Sequence, residues 1–189
     1  NIDFMLGKNS RQNVFVITSF NPGSGKSFLA MNIAMSFAIK KKRILVIDGD
    51  LRHGSISSYV DFPKVGLSDY LGNRVNSWKE IIVKDKQYDN LHILPIGIIP
   101  PNPTELLEDD KLISLIGALR SEYDYIFIDC PPIDIVADAQ IIEKLADRTV
   151  FVVRSGLLDR SMLSELENIC QEKRFKNLGV ILNLSLIHI

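Results

Sequence analysis

The sequence predicts a doubly wound α/β domain built on a mainly parallel sheet. Short β-rich apolar runs alternate with helical patterns along the chain, as strand–helix–strand units require. Most of these runs are continuously apolar rather than alternating, which is the signature of strands covered on both faces. A length of 189 residues is enough for one domain with a sizeable core.

The strand candidates are 14–18, 44–47, 91–94, 125–128, 150–153 and 179–182, and the amphipathic segments between them lie near 27–41, 103–121, 137–146 and 160–173. Asn102, Pro103 and Glu105 predict a helix start, with Asn102 as cap and Pro103 at the first helical position, where a missing N–H costs nothing. Glu108-Asp109-Asp110 is expected to be a solvated face near the positive end of that helix. Lys40-Lys41-Lys42-Arg43 falls where the first long helix should end, and complementarity to the helix dipole accounts for it.

Composition narrows the classes. The chain is 46% hydrophobic and 24% charged, with 22 Lys plus Arg against 23 Asp plus Glu and a net charge of −1. That balance is ordinary for a globular domain and offers no footprint for nucleic acid. Two cysteines cannot build a disulfide framework, so a reducing cytosol is the expectation. No apolar run approaches the ~18 residues of a membrane span. Starting at Asn1, without Met or signal peptide, the chain is expected to be a piece of a longer one.

The sharpest motif is Gly23-Ser24-Gly25-Lys26-Ser27, after the first strand and before a helix. Glycines let backbone amides cradle phosphate oxygens, and the new helix points free amides and its positive end at the same anion. Lys26 is expected to reach the β/γ-phosphates and Ser27 to ligate Mg²⁺. The loop departs from G-x-x-x-x-G-K-[ST]: Phe20 stands at the first glycine position and Pro22 inside the loop.

Two acidic strand ends reinforce the loop. Ile44–Ile47 runs into Asp48-Gly49-Asp50-Leu51-Arg52, and Tyr125–Ile128 runs into Asp129-Cys130-Pro131-Pro132. Ligands collect at the carboxyl ends of strands in open α/β sheets. Residues two apart on extended chain face one way, so Asp48 and Asp50 can serve one site, one ordering Mg²⁺ or accepting a hydroxyl proton and the other orienting the acceptor. Asp129 is the expected second Mg²⁺-directed carboxylate. Other chemistries fare worse. Cys130 lacks the arginine six positions on that a cysteine phosphatase needs. His53, His92 and His188 have no metal-ligand spacing, and no G-x-S-x-G is present.

With these motifs placed, residues 1–183 resemble the kinase domain of the bacterial tyrosine kinases (BY-kinases) of capsule and exopolysaccharide assembly. These are deviant-Walker P-loop proteins related to the partition and septum-site ATPases. The resemblance makes residues 20–27 the Walker A motif, Asp48–Arg52 the Walker A′ motif and Asp129–Pro132 the Walker B motif, and Pro100–Leu107 is similar to a further family segment. It implies nucleotide contacts by Asn21, Pro22, Gly23, Ser24, Gly25, Lys26, Ser27 and Phe28, and an adenine contact by Asn183. It also implies a catalytic group of Lys26, Asp48, Asp50 and Asp129, and Mg²⁺ on Ser27, Asp48 and Asp129. Partition-type relatives carry a signature lysine where this chain has Asn21, which favours the kinase. His53-Gly54 departs from the basic residue and proline that kinases often place there.

The function implied is ATP- and Mg²⁺-dependent, autophosphorylating protein-tyrosine kinase activity that regulates polysaccharide polymerisation and export. The alternative is a partition or septum-site ATPase whose nucleotide state switches dimerisation. The implied partners are ATP/ADP, a tyrosine-bearing tail of a neighbouring subunit in a homo-oligomer, and a membrane chain-length (co-polymerase) domain in cis or trans. The implied location is the cytoplasmic side of the bacterial inner membrane. The family's oligomerisation helix is expected to precede Asn1. Residues 184–189 are expected to be non-native, because they back-translate to a common transposon sequencing adaptor.

Overall fold

The computed structural model describes residues 12–133, 138–157, 159, 161–172 and 174–184. Among these, strands β1 (Val14–Ser19), β2 (Ile44–Asp48), β3 (Val83–Lys84), β4 (Leu91–Leu94), β5 (Tyr125–Asp129), β6 (Arg148–Arg154) and β7 (Gly179–Asn183) form one sheet. Its order is β3-β4-β2-β5-β1-β6-β7. Every pairing is parallel except β3 with β4. The helices are α1 (Lys26–Ile39), α2 (Leu67–Leu71), α3 (Pro103–Glu108), α4 (Asp110–Glu122), α5 (Asp138–Glu143) and α6 (Ser161–Gln171).

The continuous apolar runs have the predicted cause. β1, β2 and the last four residues of β5 are buried throughout. Alternate residues serve opposite layers: Val14 and Val16 pack with Leu112, Leu115 and Leu119 of α4, whereas Phe15 and Ile17 pack with Met31, Ala34 and Phe37 of α1. β7 differs, with alternating half-buried and exposed residues. The two-residue β3, too short to carry a pattern, had no signature in the sequence.

Three local expectations are refined. The segment 103–121 is two helices, because Asp109 adopts extended backbone and its carboxylate accepts the Lys111 N–H at 2.7 Å. Glu108, Asp109 and Asp110 are exposed as expected, and Asp109 is in addition a helix cap. Asn102 does not cap α3 with its side chain; its amide donates to the Glu105 carboxylate at 2.8 Å. α1 ends at Ile39 with Lys40 as its C-cap, so the basic run follows the helix end as expected, although no cation lies within the last turn itself. The Asn90 amide donates to the Ala38 and Lys42 carbonyls at 2.9 and 2.6 Å, joining the Lys41 and Lys42 N–H groups, which donate to the Ala38 and Phe37 carbonyls.

Candidate nucleotide and phosphoryl-transfer site

Parallel register assembles the site. Asp48 at the end of β2 pairs with Asp129 at the end of β5, and Asp129 pairs with Ile17 of β1, two residues before the end of that strand. Three carboxyl strand ends thus meet side by side, as the sequence predicts.

The loop itself is tied down by its neighbours. Gly23 and Gly25 hold φ of 73° and 87°, the left-handed region that glycine enters without penalty. The Ser24 hydroxyl donates to the Asn21 carbonyl at 2.7 Å, the Ser19 hydroxyl to the same carbonyl at 2.8 Å, and Arg154 to the Gly23 carbonyl at 2.8 Å. No side chain caps the amino end of α1, so its first N–H groups stay available to an anion. Phe20 resolves the departure from the usual loop pattern. Its ring is 2% exposed and lies edge-on to Phe151 with centroids 4.7 Å apart. The position feeds a core cluster with Val153, Ile169 and Phe175.

The loop forms one wall of a cavity of about 510 Å³, through Pro22, Gly23, Gly25, Lys26, Ser27 and Phe28. Asp50, Arg52, His53 and Ser55 also line it, together with Pro131 and Pro132. The phenyl ring of Phe28 is exposed. Asp50 lines this cavity and Asp48 does not. Asp48 is fully buried, and its Oδ2 accepts both the N–H and the hydroxyl of Ser57 at 2.7 Å. Asp129 is likewise buried and accepts the Ser27 hydroxyl at 2.5 Å. Asn21 and Ser24 do not line the cavity and brace the loop through the Ser24 hydroxyl–Asn21 carbonyl bond. Asn183 reaches it from β7, donating to the Ser24 carbonyl at 2.9 Å.

Burial raises both acids. Asp48 is pushed up to about 7 by desolvation, opposed by the two Ser57 hydrogen bonds and reinforced by the charges of Asp129 and Asp50. Asp129 rises to about 6 for the same reason, opposed by Ser27 and Lys26. Each keeps one buried oxygen, Oδ1, with no hydrogen-bond partner. A hydroxyl and two carboxylates are hard oxygen donors of the kind Mg²⁺ takes. No group of three or more His, Cys, Asp or Glu side chains is placed to hold a metal among the described residues. Mg²⁺ in nucleotide sites does not need one, since phosphates and waters complete its shell. The residues therefore fit a Mg²⁺–nucleotide complex.

Several site residues escaped the sequence reading. Ser57, which holds Asp48, lies nine residues on with no motif of its own. Arg52 donates from Nε to Asp138 at 3.1 Å and from Nη2 to the Thr104 hydroxyl at 3.1 Å, and Thr104 donates to Asp138 at 2.7 Å. Arg52 and Thr104 fall in the two motif segments already singled out, whereas Asp138 carried no signal. Cys130 is fully buried beside Asp129, and burial raises its thiol well above the ordinary value, so no thiolate nucleophile is present there. Tyr123 and Tyr125 are structural: the Tyr123 hydroxyl meets His92 Nδ1 at 2.7 Å, and the Tyr125 ring packs on Phe37.

The AAA domain family model AAA_31 matches residues 12–177. A putative tyrosine-protein kinase, CapB of Staphylococcus aureus, is 34% identical over 184 residues, 97% of this chain and 79% of that protein. Tyrosine-protein kinase YwqD of Bacillus subtilis is 36% identical over 97% of this chain and 76% of its own length. Among solved structures, the kinase domain of Escherichia coli tyrosine kinase ETK superposes with a TM-score of 0.86 at 29% identity, over 100% of this chain and 73% of that one. The septum-site-determining protein MinD of Pyrococcus horikoshii, complexed with Mg-ADP, shares the fold at a TM-score of 0.73 and 24% identity, over 90% of this chain and 69% of that one.

Proposed function

The chain belongs to the bacterial tyrosine kinases built on a P-loop AAA-type domain, and from that premise we propose that it transfers the γ-phosphoryl group of ATP to protein tyrosine. The observation that carries this reading is the single cavity lined by Lys26, the Asp129-bound Ser27 and Asp50. Mg²⁺, when bound with the nucleotide, supplies charge neutralisation of the phosphates.

The chain's own residues do the rest. The loop amides from Gly23 to Ser27 bind phosphate oxygens, and Lys26 balances the charge that spreads over the transferring group. Ser27, Asp48 and Asp129 would hold the metal. Their unpartnered oxygens support this role, because a cation there offsets the cost of two buried acids. Phe28 and Pro22 flank the nucleotide, and Asn183, fixed beside Ser24, contacts the adenine. Of the two A′ acids, Asp50 is the one on the cavity wall, so it orients the acceptor hydroxyl.

The acceptor is a tyrosine-bearing tail of a neighbouring subunit in a homo-oligomer. The five tyrosines, Tyr59, Tyr70, Tyr88, Tyr123 and Tyr125, are scattered rather than clustered, so residues 1–189 should bind nucleotide yet label themselves poorly. The reaction regulates capsular or exopolysaccharide polymerisation and export beside a membrane chain-length domain, at the cytoplasmic face of the inner membrane. No helix of the described residues is long and apolar enough to cross a membrane.

Incubation with γ-labelled ATP, Mg²⁺ and a tyrosine-containing acceptor peptide tests the reading. Label on tyrosine is expected. Release of free phosphate without phosphotyrosine would instead establish a septum-site-type ATPase.

A further inference from the structure

We infer that Arg154 and Asn183 are positioning residues for the phosphate loop, holding two successive loop carbonyls outward so that the N–H groups of Ser24 and Gly25 face the phosphates. This deepens the nucleotide-binding part of the proposed function and rests on it, not on the identity of the acceptor. Arg154 Nη1 donates to the Gly23 carbonyl at 2.8 Å, and Asn183 Nδ2 donates to the Ser24 carbonyl at 2.9 Å. Both donors come from the carboxyl ends of β6 and β7, where Arg154 and Asn183 are register partners. There the Ser155 N–H donates to the Asn183 carbonyl at 2.9 Å. The Leu184 N–H donates to Asn183 Oδ1 at 3.0 Å, which leaves the amide nitrogen turned to the loop. Neither Arg154 nor Asn183 lines the cavity that Gly23, Gly25, Lys26 and Ser27 line, so the two anchors grip the loop from its other side.

A trans peptide group is planar, with its C=O and N–H pointing opposite ways. Fixing the Gly23 carbonyl therefore fixes the Ser24 N–H, and fixing the Ser24 carbonyl fixes the Gly25 N–H. Gly23 and Gly25 are left-handed and Ser24 between them is not. Backbone that alternates in hand brings successive N–H groups together into a concave anion site. Neither of these two N–H groups donates to a backbone carbonyl among the described residues. Glycine alone does not secure the arrangement. It enters the mirror-image backbone regions about as readily, so a peptide plane beside it can turn over at little cost. A plane turned over here would aim a carbonyl oxygen, the negative end of its dipole, at the phosphate. The donors on Arg154 and Asn183 stabilise the productive orientation before any anion arrives, which is the preorganisation that phosphate binding needs.

The test uses Mg-tripolyphosphate, which carries the phosphates without a base. Its dissociation constant is read by calorimetry on residues 1–189, with folding checked by circular dichroism. Asn183→Leu removes the amide donor without changing charge, and Arg154→Met keeps an aliphatic stem without the guanidinium. Each folded variant is expected to bind tripolyphosphate roughly tenfold more weakly, the usual worth of one such hydrogen bond. Arg154→Lys, which keeps a donor, should recover part of the affinity. The Arg154→Met deficit should persist from about 0.05 to about 0.5 M salt, a range over which the pull of an exposed charge is screened. Unchanged tripolyphosphate affinity in either folded variant overturns the assignment for that residue. If Asn183→Leu weakens Mg-ADP alone, Asn183 serves the adenine and not the loop. A deficit that disappears at high salt makes Arg154 a remote cation and overturns its role as an anchor. If the unaltered chain binds neither Mg-tripolyphosphate nor Mg-ADP, the phosphate-loop reading itself falls, and this inference with it.

Discussion

Ser27 and Asp129, 102 residues apart in the chain, are joined by a hydrogen bond of 2.5 Å in which the hydroxyl donates to the carboxylate. The bond links the first turn of α1 to the end of β5, which are neighbours only because β5 lies beside β1. It couples the phosphate loop to the second acidic strand end. Asp129→Asn should therefore lose Mg²⁺-dependent turnover while remaining folded, measurable by circular dichroism alongside phosphotyrosine formation. Asp48→Asn should do the same. Wild-type turnover in either folded variant would remove that residue from the site.

Lys26 is the cation aimed at the transferring phosphate. Lys26→Met should cost at least ~3 kcal/mol of transition-state stabilisation, or about 10² in rate. Steady-state kinetics with saturating acceptor would show it.

The buried acids make stability depend on pH in an uncommon direction. Folding raises the affinity of Asp48 for its proton, from 3.8 to about 7. The native state therefore binds more protons than the unfolded state across that window, and stability falls as pH rises through it. The loss begins near pH 4, levels off only above about pH 7, and amounts to roughly a few kcal/mol. Asp48→Asn mimics the protonated form. Its stability relative to the parent should rise with pH over this range in urea titrations without nucleotide. A constant difference would show that Asp48 does not titrate there.

Phe20 occupies a position where a glycine is usual, yet serves packing. Phe20→Ala should cost about 3–5 kcal/mol by emptying the cluster around Phe151, which chemical denaturation will measure. A cost below about 1 kcal/mol would mean the cluster collapses around the gap.

Gly25 carries two constraints that a paired substitution separates. Its φ is 87°, and an added Cβ would stand 2.3 Å from the Asn183 amide nitrogen. Gly25→Ala should therefore destabilise by more than the 1–2 kcal/mol that left-handed backbone costs. Adding Asn183→Ala should recover the steric part only, a non-additivity visible in melting temperatures.

The sequence by itself determined the layered α/β fold, because apolar runs such as Val14–Ile17 and Ile44–Ile47 are written for strands covered on both faces. It also determined the chemical kinds at the site, because Gly25-Lys26-Ser27, Asp48-Gly49-Asp50 and Asp129 stand at strand ends and phosphate chemistry needs those groups there. Tertiary structure alone decided which acid faces the cavity. Alternation places Asp48 and Asp50 on one side, but β2 ends at Asp48, and the following turn brings Asp50 onto the cavity wall while Ser57 holds the buried Asp48. Tertiary structure likewise decided the partners of Arg52, since Thr104 and Asp138 come from helices 52 and 86 residues away. Local patterns encode burial and backbone conformation, which depend on near neighbours. Hydrogen bonds between distant side chains depend on strand order and register, which exist only once the sheet has formed.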